Sequence, residues 1–286
     1  MGGRLDATNV IDSPEVAIIT SISNDHSEYL GDTLEKIAFE KASIIKPGCD
    51  VVIYPQKKSV FEVIKNYANE KSATLHSVDT NDINIVSFGP LGQRLMYLNT
   101  LTNTGIRDFE LNLLGSHQSV NCLTVLKTIE ILIGKGYKID SDHIRKAFKT
   151  VVFNGRMEII NQNPLILIDG AHNAEGLERL SENIGTYFKD YNVHLFLGML
   201  SDKEIDSSLK MLLLKCLDVV TLTPQNPRAK CAFDTAMMIK EIHDIKVNIC
   251  EDITQFSRYL QAGPHDINVF CGSLYLIGSI RTQVRE

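Results

Sequence analysis

Five short apolar runs recur through the second half of this 286-residue chain: Leu165–Asp169, Val193–Leu197, Val219–Leu222, Lys246–Ile249 and Asn268–Cys271. Between them lie segments with helical spacing at about 174–189, 203–215, 233–243, 252–261 and 273–282. Few folds accept such strict alternation. The strands run parallel, the crossovers are right-handed, and helices cover both faces of a doubly wound α/β sheet. The first half reads differently. Buried strands are expected at Val16–Ile22 and Val51–Tyr54, with helices at 33–45 and 60–70. Three strands follow, at 83–87, 93–100 and 107–113, expected to be antiparallel, and then helices at 116–133 and 141–150. The pattern changes at the Asn154-Gly155 turn, which puts a domain boundary near residue 153.

Composition narrows the function classes. A net charge of −6 argues against a nucleic-acid footprint, and no apolar stretch approaches membrane-spanning length. The six cysteines are scattered without a Cys-x-x-Cys pair, so they read as reduced, mostly buried thiols. With no basic, apolar leader at the start, the expected compartment is the cytoplasm.

Chemistry concentrates at Asp169-Gly170-Ala171-His172-Asn173, directly after the strand Leu165–Asp169. Open α/β sheets bind ligands at the carboxyl ends of their strands, where this phrase falls. Asn173 also suits a helix N-cap, and for the phrase in isolation turn chemistry explains these residues as well as function does.

Further phrases accompany it in order. They are Gly2-Gly-Arg-Leu-Asp-Ala-Thr-Asn9; Thr20-Ser-Ile-Ser-Asn-Asp25-His26; Ile37-Ala-Phe-Glu40-Lys41-Ala-Ser-Ile-Ile-Lys46; Gly115-Ser-His117-Gln118-Ser-Val-Asn121; and Asn154-Gly155-Arg156-Met-Glu158. Gly198-Met199-Leu-Ser-Asp202-Lys203, Pro227-Arg228-Ala229 and Cys271-Gly272-Ser273-Leu274-Tyr275 complete the set. Together they resemble the folylpolyglutamate synthase/dihydrofolate synthase family of the Mur ligase superfamily, over essentially the whole chain. The resemblance implies an incomplete P-loop-type Mur ligase central domain over residues 1–153, followed by a Rossmann-like, doubly wound ligase domain over 154–286. One departure is large. The Gly-x-x-x-x-Gly-Lys-Ser/Thr loop that such enzymes carry before the Gly2 phrase does not occur in this sequence. The chain is therefore expected to correspond to the back two-thirds of such an enzyme, with a missing N-terminal segment as a partner.

The chemistry implied by the resemblance is ATP- and Mg²⁺-dependent ligation, with K⁺ a further candidate ion. A carboxylate of dihydropteroate or a folate becomes an acyl phosphate, which the amino group of L-glutamate attacks. Family residues map onto His26 as a metal ligand and onto Lys41, whose carbamylated form would hold the metal. Against these stand a loop-capping histidine and a solvated Glu40/Lys41 pair. Asn121 maps onto an adenine contact, with a solvated amide as its plain reading. Arg156 maps onto a phosphate contact, its plain reading being a salt bridge to Glu158. Asp169 and His172 map onto catalytic and nucleotide-facing positions across an interdomain cleft. Asn173, Asp202, Lys203 and Ser273 map onto the substrate site, although an N-cap explains Ser273 almost as well. Rival readings are another Mur-type amino-acid ligase and a non-catalytic fragment that binds glutamate or a partner.

Overall fold

The computed structural model describes residues 3–4, 6–22, 33–99, 104–201 and 206–285. The chain divides into two compact units: residues 3–86, 94–110 and 116–149 in one, and residues 87–93, 111–115 and 150–285 in the other.

In the first unit, Val16–Ile19 (β1), Asp50–Ile53 (β2) and Thr74–Ser77 (β3) form a parallel sheet in the order β1-β2-β3. The crossovers are Leu34–Ala42 (α1) and Lys58–Glu70 (α2). Thr33 starts α1 by accepting from the Lys36 amide, and α2 buries Val60, Ile64 and Ala68, one face at a four-residue spacing. Those residues pack with Ile37, Ala38, Val51 and Ile53 into one core. His117–Gly134 (α3) packs against β1 and β2. Ser141–Thr150 (α4) follows it. Ile83–Gly89 (β4), Gly92–Tyr97 (β5) and Asp108–Leu111 (β6) form a separate sheet in the order β4-β5-β6.

The six-stranded sheet of the second unit has the order β11-β10-β9-β12-β8-β7. Its strands are Glu158–Gln162 (β7), Leu165–Ile168 (β8), Asn192–Leu197 (β9), Asp218–Leu222 (β10), Lys246–Cys250 (β11) and Asp266–Cys271 (β12). All pairings are parallel except β7 with β8. Alternate side chains feed two cores, as a sheet covered on both faces requires. Leu167, Leu195, Leu197, Val219 and Val269 point to one, which also takes Leu177, Leu180 and Ile184 of Ala174–Tyr187 (α5). Asp206–Leu213 (α6) and Ala232–Ile242 (α7) add Leu209, Leu212 and Ile239 to the same core. Ile166, Ile168, Phe196, Val220 and Phe270 point to the other, closed by Phe256 and by Leu276, Ile277 and Ile280 of Leu274–Arg285 (α8). Phe196 and Phe270 stack there with centroids 4.2 Å apart.

Some elements depart from the sequence pattern. The helix expected over 252–261 is a 3-10 segment, Ile253–Tyr259, opened by the Asp252 side chain accepting from the Thr254 amide. Strand β3 is too polar, and β7 too interrupted by its bulge between Ile159 and Asn161, to announce themselves by alternation. All six cysteines are free thiols, and burial pushes those of Cys122 and Cys216 up to about 12, which keeps them protonated. Among the described residues no helix is long and apolar enough to cross a membrane.

One polar residue sits inside β12 with no exposed surface. Asn268 donates to the Leu165 and Gln261 carbonyls and accepts from the Gln261 amide. Its replacement by alanine orphans all three groups, so Asn268→Ala is expected to cost about 2 kcal/mol. The check is a lowered urea midpoint at unchanged m value; a loss below about 0.5 kcal/mol would refute this account of the residue.

Candidate functional site

Strand β12 lies between β9 and β8, yet its outgoing helix α8 packs on the opposite face from α5 and α6, which follow those neighbours. Connections that diverge to opposite faces leave a crevice at the carboxyl ends of the strands. A cavity of about 200 Å³ occupies it, lined by His172 after β8, by Leu200 after β9, by Arg228 from the β10–α7 loop, and by Gly272, Ser273 and Tyr275 after β12.

Backbone contacts bind these strand ends together. Gly272, at φ +100°, donates to the Ala171 carbonyl at 2.8 Å, and a side chain on it would come within 2.6 Å of the Gly198 carbonyl oxygen. Only glycine fits such a position. Arg228 is carried in by an antiparallel bridge between Leu200 and Ala229, with the Ser201 amide donating to the Arg228 carbonyl at 2.9 Å.

His172, Asn173 and Ser273 each have a definite local role. His172 Nδ1 lies 2.7 Å from the Gly170 carbonyl, which can only accept, so Nδ1 carries the proton and Nε2 is the acceptor of the neutral ring. Asn173 caps α5 by accepting from the Gly176 amide at 2.8 Å. Ser273 is 1% exposed and its Oγ accepts from the Tyr275 amide at 3.2 Å, so it serves the start of α8 while lining the cavity. Tyr275 was not singled out from the sequence as a site residue, although it stands in the Cys271–Tyr275 phrase. Among the described residues that line the cavity, the ionisable groups are an imidazole, a guanidinium and a phenol.

Asp169 is turned inward. Its Oδ1 accepts from the Ala171 amide and its Oδ2 from the Met157 amide, both at 2.8 Å. Burial pushes its carboxyl above the ordinary carboxylate range, against the pull of those two amides and of Arg156. Asp169 thus joins its own turn to the turn at 154–157, where Gly155 has φ +69° and Met157 φ +45°. Arg156 is exposed between them and lines a second cavity, of about 550 Å³, with Phe153, Met157 and Asn161. It does not pair with Glu158. That carboxylate bridges to Arg281 at 2.8 Å and accepts from the Gly155 amide at 2.7 Å.

In the first unit, the opening phrase docks onto α1. The Gly3 amide donates to the Glu40 carbonyl at 3.0 Å, Lys46 Nζ donates to the Asn9 carbonyl at 2.9 Å, and Arg4 pairs with Glu40 at 3.5 Å. Two phrases distant in sequence therefore meet around the last turn of α1, where Lys41 sits half-buried. Asn121 is exposed on α3 and donates to Gln118 Oε1 at 2.8 Å. His26, Asp202 and Lys203 lie outside the described residues. Among the described residues, no group of three or more His, Cys, Asp or Glu could hold a metal ion.

Comparison with known proteins matches residues 3–129 to the Mur ligase middle domain and residues 155–274 to the Mur ligase glutamate ligase domain. The chain is 29% identical to a dihydrofolate synthase/folylpolyglutamate synthase of Bacillus subtilis (strain 168), a match covering 100% of this chain and 66% of that protein. The Mycobacterium tuberculosis protein of the same name is 34% identical over 80% of this chain and 48% of its own length. Among solved structures, the folylpolyglutamate synthase of Thermotoga maritima superposes with a TM-score of 0.84 at 29% identity, covering 100% of this chain and 64% of that one. The Mycobacterium tuberculosis enzyme complexed with ADP and AMPPCP gives 0.77 at 29% identity. The chain spans about half to two thirds of the length of these curated relatives.

The buried state of Asp169 has a pH signature. Because its folded-state pKa is raised, the folded protein takes up a proton at a higher pH than the unfolded chain, so this group's contribution to stability falls as pH rises. Stability measured relative to Asp169→Asn is expected to increase as pH drops through the window just above the ordinary carboxylate range, by at most about 1.4 kcal/mol per pH unit. Urea titrations of both proteins between neutral and mildly acidic pH check this; a difference independent of pH would remove it.

Proposed function

Because the chain belongs to the Mur ligase family, we propose that it serves ATP-dependent amide formation, joining L-glutamate to the carboxyl group of dihydropteroate or of a folate. The observation that carries the reading is the cavity at the end of β12, where an imidazole, a guanidinium and a buried hydroxyl converge. Such a lining suits an anionic, amine-bearing partner, and an amino acid with two carboxylates meets that description. Relatives named for glutamate addition to folates support it.

In the proposed reaction a carboxylate oxygen of the acceptor attacks the γ-phosphorus of ATP, releasing ADP and leaving an acyl phosphate. The glutamate nitrogen then forms the C–N bond as the C–O bond to phosphate breaks, and phosphate departs. The amine has to lose a proton in this step, and His172 Nε2 is the acceptor we assign to it. Arg228 and Ser273 hold glutamate carboxylate oxygens. Arg156 meets phosphate oxygens, with Asp169 a positioning residue that fixes the turn beside it. The amide of Asn121, which keeps its carbonyl and one N–H beyond the bond to Gln118, offers a base edge its donor and acceptor. On this reading residues 1–153 belong to the nucleotide-binding part and residues 154–286 to the glutamate-ligase part, working in the cytoplasm. The described donor set does not fit a divalent ion, so Mg²⁺ is assigned to no described residue and no step is routed through it.

The test incubates the chain with ATP, Mg²⁺, glutamate and either dihydropteroate or tetrahydrofolate, and looks by mass spectrometry for a product one glutamate heavier. Because the phosphate loop does not occur in the sequence, a parallel incubation adds the N-terminal segment of a complete relative. Product in either incubation supports the ligase; no product in both favours a non-catalytic binding fragment. In whichever incubation is active, His172→Ala is expected to lower turnover by roughly 10²-fold or more. Unchanged turnover would remove His172 from the chemistry.

A further inference from the structure

Helix α8 begins at the cavity and then runs along the two turns that flank Arg156. Leu274, Ile277 and Arg281 lie at i, i+3 and i+7, on one face. A side chain at Gly170 would come within 2.7 Å of Leu274 Cδ2, and one at Gly155 within 2.7 Å of Ile277 Cδ1. Farther along the same face, Arg281 Nη2 donates to Asn154 Oδ1 at 2.6 Å and to Glu158 Oε1 at 2.8 Å. Glu158 passes the constraint on, since its Oε2 accepts from the Gly155 amide at 2.7 Å. The Gly155 carbonyl in turn accepts from the Gly170 amide at 2.7 Å.

We propose that Arg281 and Glu158 are positioning residues that aim Arg156: α8 clamps the turn at 154–157 through this ion pair, and the turn sets the direction in which the Arg156 guanidinium is presented. The inference rests on the reading of Arg156 as a phosphate contact. Two observations favour a positioning role over a merely stabilising one. Glu158 is buried, with 8% of its side chain exposed, Arg281 is partly buried at 19%, and Arg281 Nε is buried without a partner. Buried ion pairs are a poor way to add stability, whereas they select one geometry well. The turn that they hold is also one that a chain does not adopt freely, because Met157 has a left-handed backbone without being glycine.

The experiment combines a double-mutant cycle with amide hydrogen exchange on the full chain. Binding of ATP with Mg²⁺, read by calorimetry, is compared for the parent, Arg156→Ala, Arg281→Met and the double variant. We expect Arg281→Met to weaken binding about tenfold in the parent and to add nothing in Arg156→Ala, with Arg281→Lys recovering part of the loss. Exchange at the Gly155, Met157 and Gly170 amides is expected to accelerate about tenfold in Arg281→Met and in Glu158→Gln, while the amides of β9 and β12 keep their protection. Glu158→Gln preserves volume and an acceptor for Gly155, which guards against simple unfolding. Unchanged exchange at those three amides, or additive losses in the cycle, overturns the proposal. Should Arg156→Ala leave ATP binding intact, the reading of Arg156 as a phosphate contact falls by itself. Exchange then decides the brace: acceleration confined to the three amides upholds the hold on the turn, and none overturns it.

Discussion

A strand that enters a parallel sheet between two strands already in place can send its helix to the face that theirs do not occupy. That is the position of β12, and much of the candidate site follows from it. The chain after β8 and β9 turns toward one core, the chain after β12 toward the other, and a gap opens where they part. Because the sheet is buried on both faces, the strand ends cannot spread to relieve crowding. They are tied instead by backbone bonds, Gly272 to Ala171 and Gly198 to Cys271. Glycine at 272 is thus a packing requirement before it is anything else, and the close approach it permits brings Ser273 and His172 to one cavity.

Asp169 shows how a charged residue can be part of such a scaffold. Placing a carboxylate where it is 7% exposed is unfavourable, and the rise in its pKa records that cost. Two backbone amides at 2.8 Å offset it, and neither belongs to a regular element. The acid therefore organises two irregular turns that lack a hydrogen-bonded ladder of their own. Its importance is architectural first, and whatever it contributes to chemistry passes through the placement of its neighbours.

The sheet of the second unit was legible in the sequence because its physics is local: a run of apolar residues four to six long, then a helical period, repeated. The turn beginning at Asp169 was legible for the same reason, since strand, acid, glycine and cap follow one another within nine residues. What stayed hidden depends on contacts remote in sequence. Nothing near Arg281 signals that it meets Glu158, 123 positions away by subtraction (281 − 158), or that Leu274 and Ile277 exclude side chains from two glycines. The hairpin around Ser87–Gln93 is another example. Tyr187 donates to Gln93 Oε1 at 3.0 Å and its ring meets Phe88 edge-on, which assigns the hairpin tip to the second compact unit against the order of the chain. Strand β7, an antiparallel edge with a bulge, carries too little alternation to be distinguished from loop.

Two histidines of the second unit show how differently the carboxyl and amino ends of the sheet hold an imidazole. His194, 5% exposed, has Nδ1 at 2.9 Å from Asp218 and Nε2 at 3.5 Å from Asp266, so carboxylates from both neighbouring strands close around it. Whatever charge that imidazole carries is answered by its own surroundings, and its work is to join three strands. His172 is oriented by a neutral carbonyl, which fixes the tautomer without supplying a counter-charge. A ring held in that way keeps its second nitrogen and its electrostatic appetite for whatever enters the cavity. The same holds for Ser273, whose hydroxyl is steadied by a backbone amide. Tethering by the backbone, which orients without neutralising, distinguishes the side chains available to a ligand from those consumed by the fold.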